Sequence, residues 1–361
     1  MNKYPELLVD LDKLKENYKQ IKKLCKDIKI AGVIKGCTGI PEVAQLLDKE
    51  HVDFIASSRM EQLKPLKGKV TCPLMMIRIP MLSEVEEIVK YTDISLNSEL
   101  EVLKALDKEA KRQNKIHEVI LMKDLGDLRE GFYKEEDIIE AALFVENDLD
   151  NLVLAGIGTN LGCYGAIVAT KEKLEELVRV AEHIENKIDR KLKYISGGAT
   201  TSIPRLIEGN MPERINMLRI GEGILLARDL KDLWGYDIEN MNQDVFTLRC
   251  EVIEVKDKPT YPVGKIFVDA FGNKPTYEDK GIRRRALLAI GKVDYAFSED
   301  LVPKNNKIKI IGASSDHTII DVEDDENIKV GDILEFNLTY STLVYVSNSQ
   351  NIKKVFKGKK S

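Results

Sequence analysis

The chain has 361 residues, 43% hydrophobic and 32% charged, with 55 Lys+Arg against 60 Asp+Glu for a net charge of −5. This length suggests two domains or one barrel with an addition, and the apolar content builds a core and argues against disorder. Charges of mixed sign without a basic tract argue against nucleic-acid binding, no apolar run reaches the ~18 residues of a membrane span, and no apolar core follows the first charges as in a secretory peptide. The five cysteines are odd in number and scattered, which fits reduced thiols in a cytoplasm. There is no CxxC pair and the four histidines are far apart, so no metal site is expected.

Leu11, Leu14, Tyr18, Ile21 and Leu24 recur at three- and four-residue steps and predict an amphipathic helix. Short apolar runs then alternate with helix-like stretches. The runs are Ile30–Ile34, Val52–Ala56, Leu74–Ile77, Ile94–Leu96, Val119–Met122, Leu152–Ile157, Tyr194–Ser196 and Ile215–Leu218. Pro41 sits where a helix would start, and Lys171–Lys187 is strongly periodic. Eight strands alternating with helices close a (β/α)8 barrel; an open doubly wound sheet would show the same alternation with fewer strands.

The pattern changes near Ala227–Asn242. Beyond it, strand-like runs at Phe246–Val255, Lys265–Ala270, Arg285–Ile290, Lys307–Ile311, Thr318–Val322 and Ile333–Leu338 are separated by turn residues, with no clear amphipathic helix. The fold expected is an N-terminal (β/α)8 barrel over residues 1–228 followed by an all-β domain over 229–361. The lysine-rich tail Lys353–Ser361 is expected to fray.

Barrel chemistry sits at the C-terminal ends of the strands. The residues that follow the runs include Lys35, Arg78, Asn97, Lys123, Asp127, Arg129, Thr159, Asn160, Tyr164, the loop Ser196–Ser202, and Arg219-x-Gly221-x-Gly223. Cations and amide donors collect at one rim, as an anionic ligand requires. Lys35 closes an apolar strand, where a lysine among apolar neighbours and cations has a lowered pKa and forms a Schiff base; the alternative is a snorkelling lysine. The Gly/Ser/Thr loop either cradles phosphate or is an ordinary turn. A phosphate cradle opposite a strand-end lysine is what pyridoxal phosphate needs.

Val33-Ile34-Lys35-Gly36, Leu218-Arg219-Ile220-Gly221 and Met122–Gly131, with Thr260–Gly264, Gly312–Asp316 and Asn337–Tyr340 further on, resemble in order the motifs of the alanine racemase superfamily. Within it, GDLREG, SGGATTSIPRL, YPVG, RRRALLAIGKVD and GASSDHTIIDV are similar to the ornithine and lysine racemases. Lys35 lacks the usual K-A-x-A-Y-G continuation, the cofactor-stacking histidine is replaced near Thr159-Asn160, and Ser314–His317 replaces a C-M-D loop, which turns the expectation from alanine towards ornithine.

The resemblance implies a pyridoxal-phosphate racemase, an isomerase interconverting L- and D-ornithine. Lys35 and Tyr261 would be the two bases on opposite faces. Lys35, Asn160, Ser196, Gly198, Thr200, Thr201, Arg219, Gly221, Glu222 and Tyr340 would bind the cofactor; Arg129, Ser315 and Asp316 would bind substrate. Tyr261 would come from the partner subunit of a homodimer, with Arg129 or Arg283–Arg285 lowering a phenol pKa of about 10. An acid among Asp316, Glu222, Asp127 and Glu130 would read the distal ammonium. The rival readings are a racemase for lysine or alanine, a pyridoxal-phosphate lyase or decarboxylase, and a non-catalytic pyridoxal-phosphate carrier.

Overall fold

Residues 3–358 are described by the computed structural model. Its sixteen strands are β1 (Glu6–Asp10), β2 (Lys29–Val33), β3 (Phe54–Ser57), β4 (Leu74–Met76), β5 (Ile94–Asn97), β6 (His117–Met122), β7 (Leu152–Gly158), β8 (Tyr194–Ser196), β9 (Met217–Ile220), β10 (Phe246–Pro259), β11 (Ile282–Leu288), β12 (Val302–Pro303), β13 (Lys309–Ala313), β14 (Thr318–Asp321), β15 (Ile333–Asn337) and β16 (Lys353–Lys357).

Strands β2 to β9 close a parallel barrel in sequence order. Inward positions recur every second residue along each strand, as the pleat dictates. Ala31 and Val33, Phe54 and Ala56, Ile94 and Leu96, and Ile120 and Met122 therefore share one buried cluster with Met75, Ala155, Tyr194 and Met217. Phe54 meets Tyr194 edge to face at 5.6 Å. Two residues beyond Tyr194 and Met217 the same inward face turns polar, at Ser196 and Arg219. The barrel is thus an apolar plug with a polar upper rim.

Helices wrap it as their periodicity predicts. The helix Leu11–Cys25 buries Leu14, Tyr18 and Ile21, and Pro41 opens the helix Pro41–Lys49. The helix Lys171–Ile188 is capped by the Thr170 hydroxyl, which accepts from the Lys173 amide, and buries Leu174, Leu177, Val180, Ala181 and Ile184.

The chain divides into two compact units, Leu14–Asn242 and Met1–Lys13 with Gln243–Ser361. The expected boundary at 228/229 therefore moves. Asn17 explains why: its amide donates to the carbonyls of Ile224 and Asn242, and its oxygen accepts from the Asn242 amide, which ties that segment to the barrel unit.

The second unit is an eight-stranded sheet with the path β12-β15-β10-β11-β14-β13, to which β1 and β16 are joined. Long β10 spans two halves, pairing with β1 and β15 early and with β11 after a register shift at Val252/Glu254. Here the expectation needs three corrections. Lys353–Lys357 does not fray: it pairs in parallel with β1, Glu6 opposite Lys353, while residues 359–361 lie outside the described residues. Lys265–Ala270 forms no strand; Ile266, Phe267 and Val268 are all exposed, so neither face has a core to pack on, and Asp269 makes a turn by accepting from the Phe271 and Asn273 amides. Tyr340–Asn348 is a helix, where no clear amphipathic helix was expected; the Thr342 hydroxyl accepts from the Thr339 amide and starts it.

Glu185 links helix to barrel. It is buried, and its carboxylate accepts from Arg214 at 2.5 Å, Lys191 at 2.7 Å and the Leu192 amide at 3.0 Å. Burial pushes its carboxyl up, but these donors outweigh it and hold it at about 2. A depressed carboxyl stabilises the fold above its unfolded pKa and loses that contribution as pH falls towards the folded value. Glu185→Gln should cost roughly 1–3 kcal/mol at pH 7, and thermal melts should show the gap to wild type closing as pH falls from about 4.5 to about 2.

Candidate active site

Lys35 lies two residues past the end of β2, in a tight turn over Lys35–Cys37. The turn is closed by the Gly39 amide on the Ile34 carbonyl and the Thr38 amide on the Lys35 carbonyl. Burial pushes the Lys35 amine below the ordinary lysine range; the positive charges of Arg129 and Arg219 push the same way, and Cys163 and Glu130 oppose them. Four side chains from three other loops or strands thus act on one amine.

Arg219 lies on β9, which pairs with β2 so that Ala31 stands opposite it. It is buried, and donates to the Ser196 hydroxyl at 2.5 Å and the Thr159 carbonyl at 2.6 Å. Burial lowers its guanidinium to about 10, so it stays a cation at neutral pH. Gly158 on β7 makes room: a Cβ there would come within 3.1 Å of the Ser196 Cβ and 3.4 Å of Arg219 Nη1.

The loop after β8 runs from Gly197 to Ser202. Its hydroxyls are already engaged. Thr200 accepts from the Gly223 amide at 3.1 Å, Thr201 donates to the Leu161 carbonyl at 2.8 Å, and Ser202 donates to the Gly197 carbonyl at 2.6 Å. The groups left to meet an anion are backbone amides; those of Gly198 and Ala199 donate to no acceptor among the described residues. Glu222 is also engaged: Oε1 accepts from the Arg228 and Asp229 amides, while Oε2 is buried without a partner among the described residues. Burial and the neighbouring Asp229 push its carboxyl up to about 7.

The loops after β6 and β7 are stapled together. Asp127 is buried, and its carboxylate accepts from the amides of Gly162, Cys163, Tyr164 and Ile167 at 3.0–3.3 Å. Lys123 is spent on the carbonyls of Asp124 and Tyr133, and Arg78 on Glu84 and the Ser58 carbonyl. Of the polar residues after the strands, Lys35, Arg129, Ser196 and Arg219 come together; Lys123, Arg78 and Asp127 hold loops. Asx turns in Lys123-Asp124-Leu125-Gly126-Asp127 were the available signal for the loop-holding role.

Two buried polar atoms beside this cluster lack partners among the described residues, Thr159 Oγ1 and Asn160 Nδ2. Orphaned polar atoms in a buried site mark where a bound group belongs.

The remaining residues of interest lie in the β unit. Tyr261 is half exposed at the start of the loop after β10 and stacks edge to face on Tyr277. Thr260, which sequence reasoning did not single out, pins that loop: its amide and hydroxyl donate to the Gly281 carbonyl, and its hydroxyl accepts from the Lys280 amide. Ser314–His317 is the β13–β14 turn, closed by the Ser314 amide on the His317 carbonyl, and Asp316 accepts from Ser315. Arg283 pairs with Asp321 on β14. Tyr340 is half buried at the head of its helix.

The family described as alanine racemase, N-terminal domain, matches residues 9–229. An ornithine racemase from Acetoanaerobium sticklandii is 47% identical over 354 residues, covering 97% of this chain and 99% of that protein. The chain belongs to the alanine racemase family. It is therefore an amino-acid racemase by class. A lysine racemase from Thermotoga maritima is 38% identical, covering 98% of each chain. The alanine racemase of Streptomyces lavendulae, at 14% identity, superposes with a TM-score of 0.78 over 99% of this chain and 98% of that one. That of Bartonella henselae, solved with covalently bound pyridoxal phosphate, gives 0.75 at 14% identity over 99% and 100%. These two likenesses concern the fold.

The residues of the rim fit the family's cofactor. Backbone amides after β8 suit a phosphate, Arg219 and the orphaned Thr159 and Asn160 atoms suit a polar ring, and Lys35 suits an aldehyde. In cofactor-free protein, competitive acylation followed by mass spectrometry should show the Lys35 amine half-reactive at a lower pH than the exposed lysines, because its ammonium is destabilised. An ordinary midpoint would contradict the site as described.

Proposed function

We propose that this protein is a pyridoxal-phosphate-dependent, two-base racemase of ornithine. The observation that carries it is the strand-end Lys35, its amine made easy to deprotonate by burial and two arginines. The 47% identity to an ornithine racemase over nearly the whole chain supports the choice of substrate. The cytoplasm, where thiols stay reduced, is the proposed setting.

Lys35, Asn160, Ser196, Gly198, Thr200, Thr201, Arg219, Gly221, Glu222 and Tyr340 are the residues proposed to hold the cofactor, Thr200 and Thr201 through backbone amides. When bound, pyridoxal phosphate supplies an aldehyde that captures the substrate amine and an electron sink that acidifies the α-carbon. The chain does the rest. Lys35 Nζ takes or returns the α-proton on one face. Tyr261 Oη does so on the other, because one base cannot readily serve both faces. Arg219 keeps its proton at neutral pH and only donates, so an acceptor set against it stays unprotonated, which weakens the sink and favours proton exchange over further chemistry. Arg129 and Ser315 would hold the substrate carboxylate end.

For the distal ammonium, Asp127, Glu222 and Glu130 already accept from backbone amides or Arg129, while Asp316 accepts only from neighbouring Ser315 among the described residues. Asp316 is therefore the proposed reader. We further propose a homodimer in which Tyr261 completes the partner's site. The exposed Val263, Phe267 and Ile282 near Tyr261 support a surface meant to be covered.

Holo-protein in heavy water should exchange the α-hydrogen of L-ornithine and yield D-ornithine, with alanine turned over far more slowly. Exchange in alanine alone would overturn the substrate, and no exchange in any amino acid would overturn the racemase. Tyr261→Phe should keep bound cofactor and lower racemisation about 10²–10⁴-fold. It should retain solvent exchange from one enantiomer without inversion; equal loss from both enantiomers, or none, would remove Tyr261 as a base.

A further inference from the structure

The loop from Lys123 to Tyr133 is unusually constrained for a segment at a barrel mouth. Its ends are clamped by the Asp124 amide on the Phe132 carbonyl and the Phe132 amide on the Met122 carbonyl. The Asp124 carboxylate accepts from the amides of Gly126 and Leu128. Gly131 lies at φ +122°, where a Cβ would come within 2.7 Å of the Asp124 nitrogen. Asp127 then holds the neighbouring loop from Gly162 to Ile167 against it. Two consecutive side chains on this frame, Arg129 and Glu130, form a two-point ion pair through Nε and Nη2. Arg129 Nη1 donates to Cys163 Sγ on the stapled loop at 2.8 Å. The guanidinium is thus held on both edges by groups on hydrogen-bonded loop backbone.

The electrostatic setting adds a second reason for the pair. Lys35, Arg129 and Arg219 are three cations whose charges act on one another. Glu130 is a carboxylate whose charge acts on both Lys35 and Arg219 while it pairs with Arg129. Its side chain is 16% exposed, so solvent screens it only partly.

We propose that Glu130 is a positioning residue of the racemase: it fixes Arg129 over the barrel mouth beside Lys35 and supplies the negative charge that balances the three cations there. The positioning half rests on the racemase reading; the charge half rests on the Arg129–Glu130 ion pair and on the charge of Glu130 acting on Lys35 and Arg219. Glu130 itself does not touch the reacting atoms. Removing its charge leaves the repulsion of Arg129 and Arg219 on Lys35 less opposed, so the Lys35 ammonium is destabilised further. Loosening Arg129 weakens its hold on a substrate carboxylate.

The test uses Glu130→Gln, which keeps shape without charge, and Glu130→Asp, which keeps charge. Competitive acylation of cofactor-free protein should show the Lys35 midpoint moving to lower pH by roughly half a unit or more in Glu130→Gln and staying near wild type in Glu130→Asp. In holo-protein, Glu130→Gln should raise KM for ornithine severalfold more than it lowers kcat, and shift the acid limb of the kcat/KM profile downward in pH. An unmoved Lys35 midpoint in Glu130→Gln overturns the proposal even in an active racemase. So does an equal loss in both variants together with a lowered melting temperature, since that is a purely structural role. Wild-type protein inert towards every amino acid sinks the racemase reading instead, and the labelling arm still reads the charge of Glu130.

Discussion

A charged guanidinium inside a closed barrel has to be held, because an unpaired buried charge costs several kcal/mol. Arg219 is held by the Ser196 hydroxyl and the Thr159 carbonyl, and much of the rim follows from that. Ser196 must face inward on β8, so Tyr194 two residues earlier fills the barrel below it. Gly158 leaves room beside Ser196 and the guanidinium, where a Cβ would come within 3.1 Å of the Ser196 Cβ. Because β9 pairs with β2, the held charge stands next to the strand that leads to Lys35. Its repulsion joins burial in freeing the lysine of its proton.

The same rim shows how many polar side chains are committed before any ligand arrives. Asp127 takes four backbone amides, Asp124 two and Glu222 two. Thr201 and Ser202 give their hydroxyl protons to carbonyls, and Thr200 takes an amide. Such bonds satisfy the loops' backbone amides within the chain. They also move the phosphate-cradle function from hydroxyls, where the loop composition suggests it, to backbone amides. The cations remain for chemistry because they outnumber the carboxylates that reach them.

By itself the sequence determined the alternation of strands and helices, while the closure of β9 onto β2 that makes it a barrel was decided by the tertiary structure. Eight apolar runs with intervening helical periodicity could pack only as alternating strands and helices, and each run matches a strand to within a few residues. It also placed Lys35 and Arg219, because a charged residue at the C-terminal end of an apolar run has few places to go but the rim. The tertiary structure alone decided the rest. β1 and β16 are short, charged at their ends and at opposite ends of the chain, so nothing local marks them as partners. Tyr340–Asn348 became a helix against its β-branched composition because burial of Leu343 and Val346 and a threonine start outweigh weak propensity. The roles of Asp127, Glu130 and Glu222 likewise stayed hidden. A carboxylate looks the same in sequence whether it binds a ligand, a guanidinium or a row of amides, and only the folded backbone decides which donors reach its lone pairs.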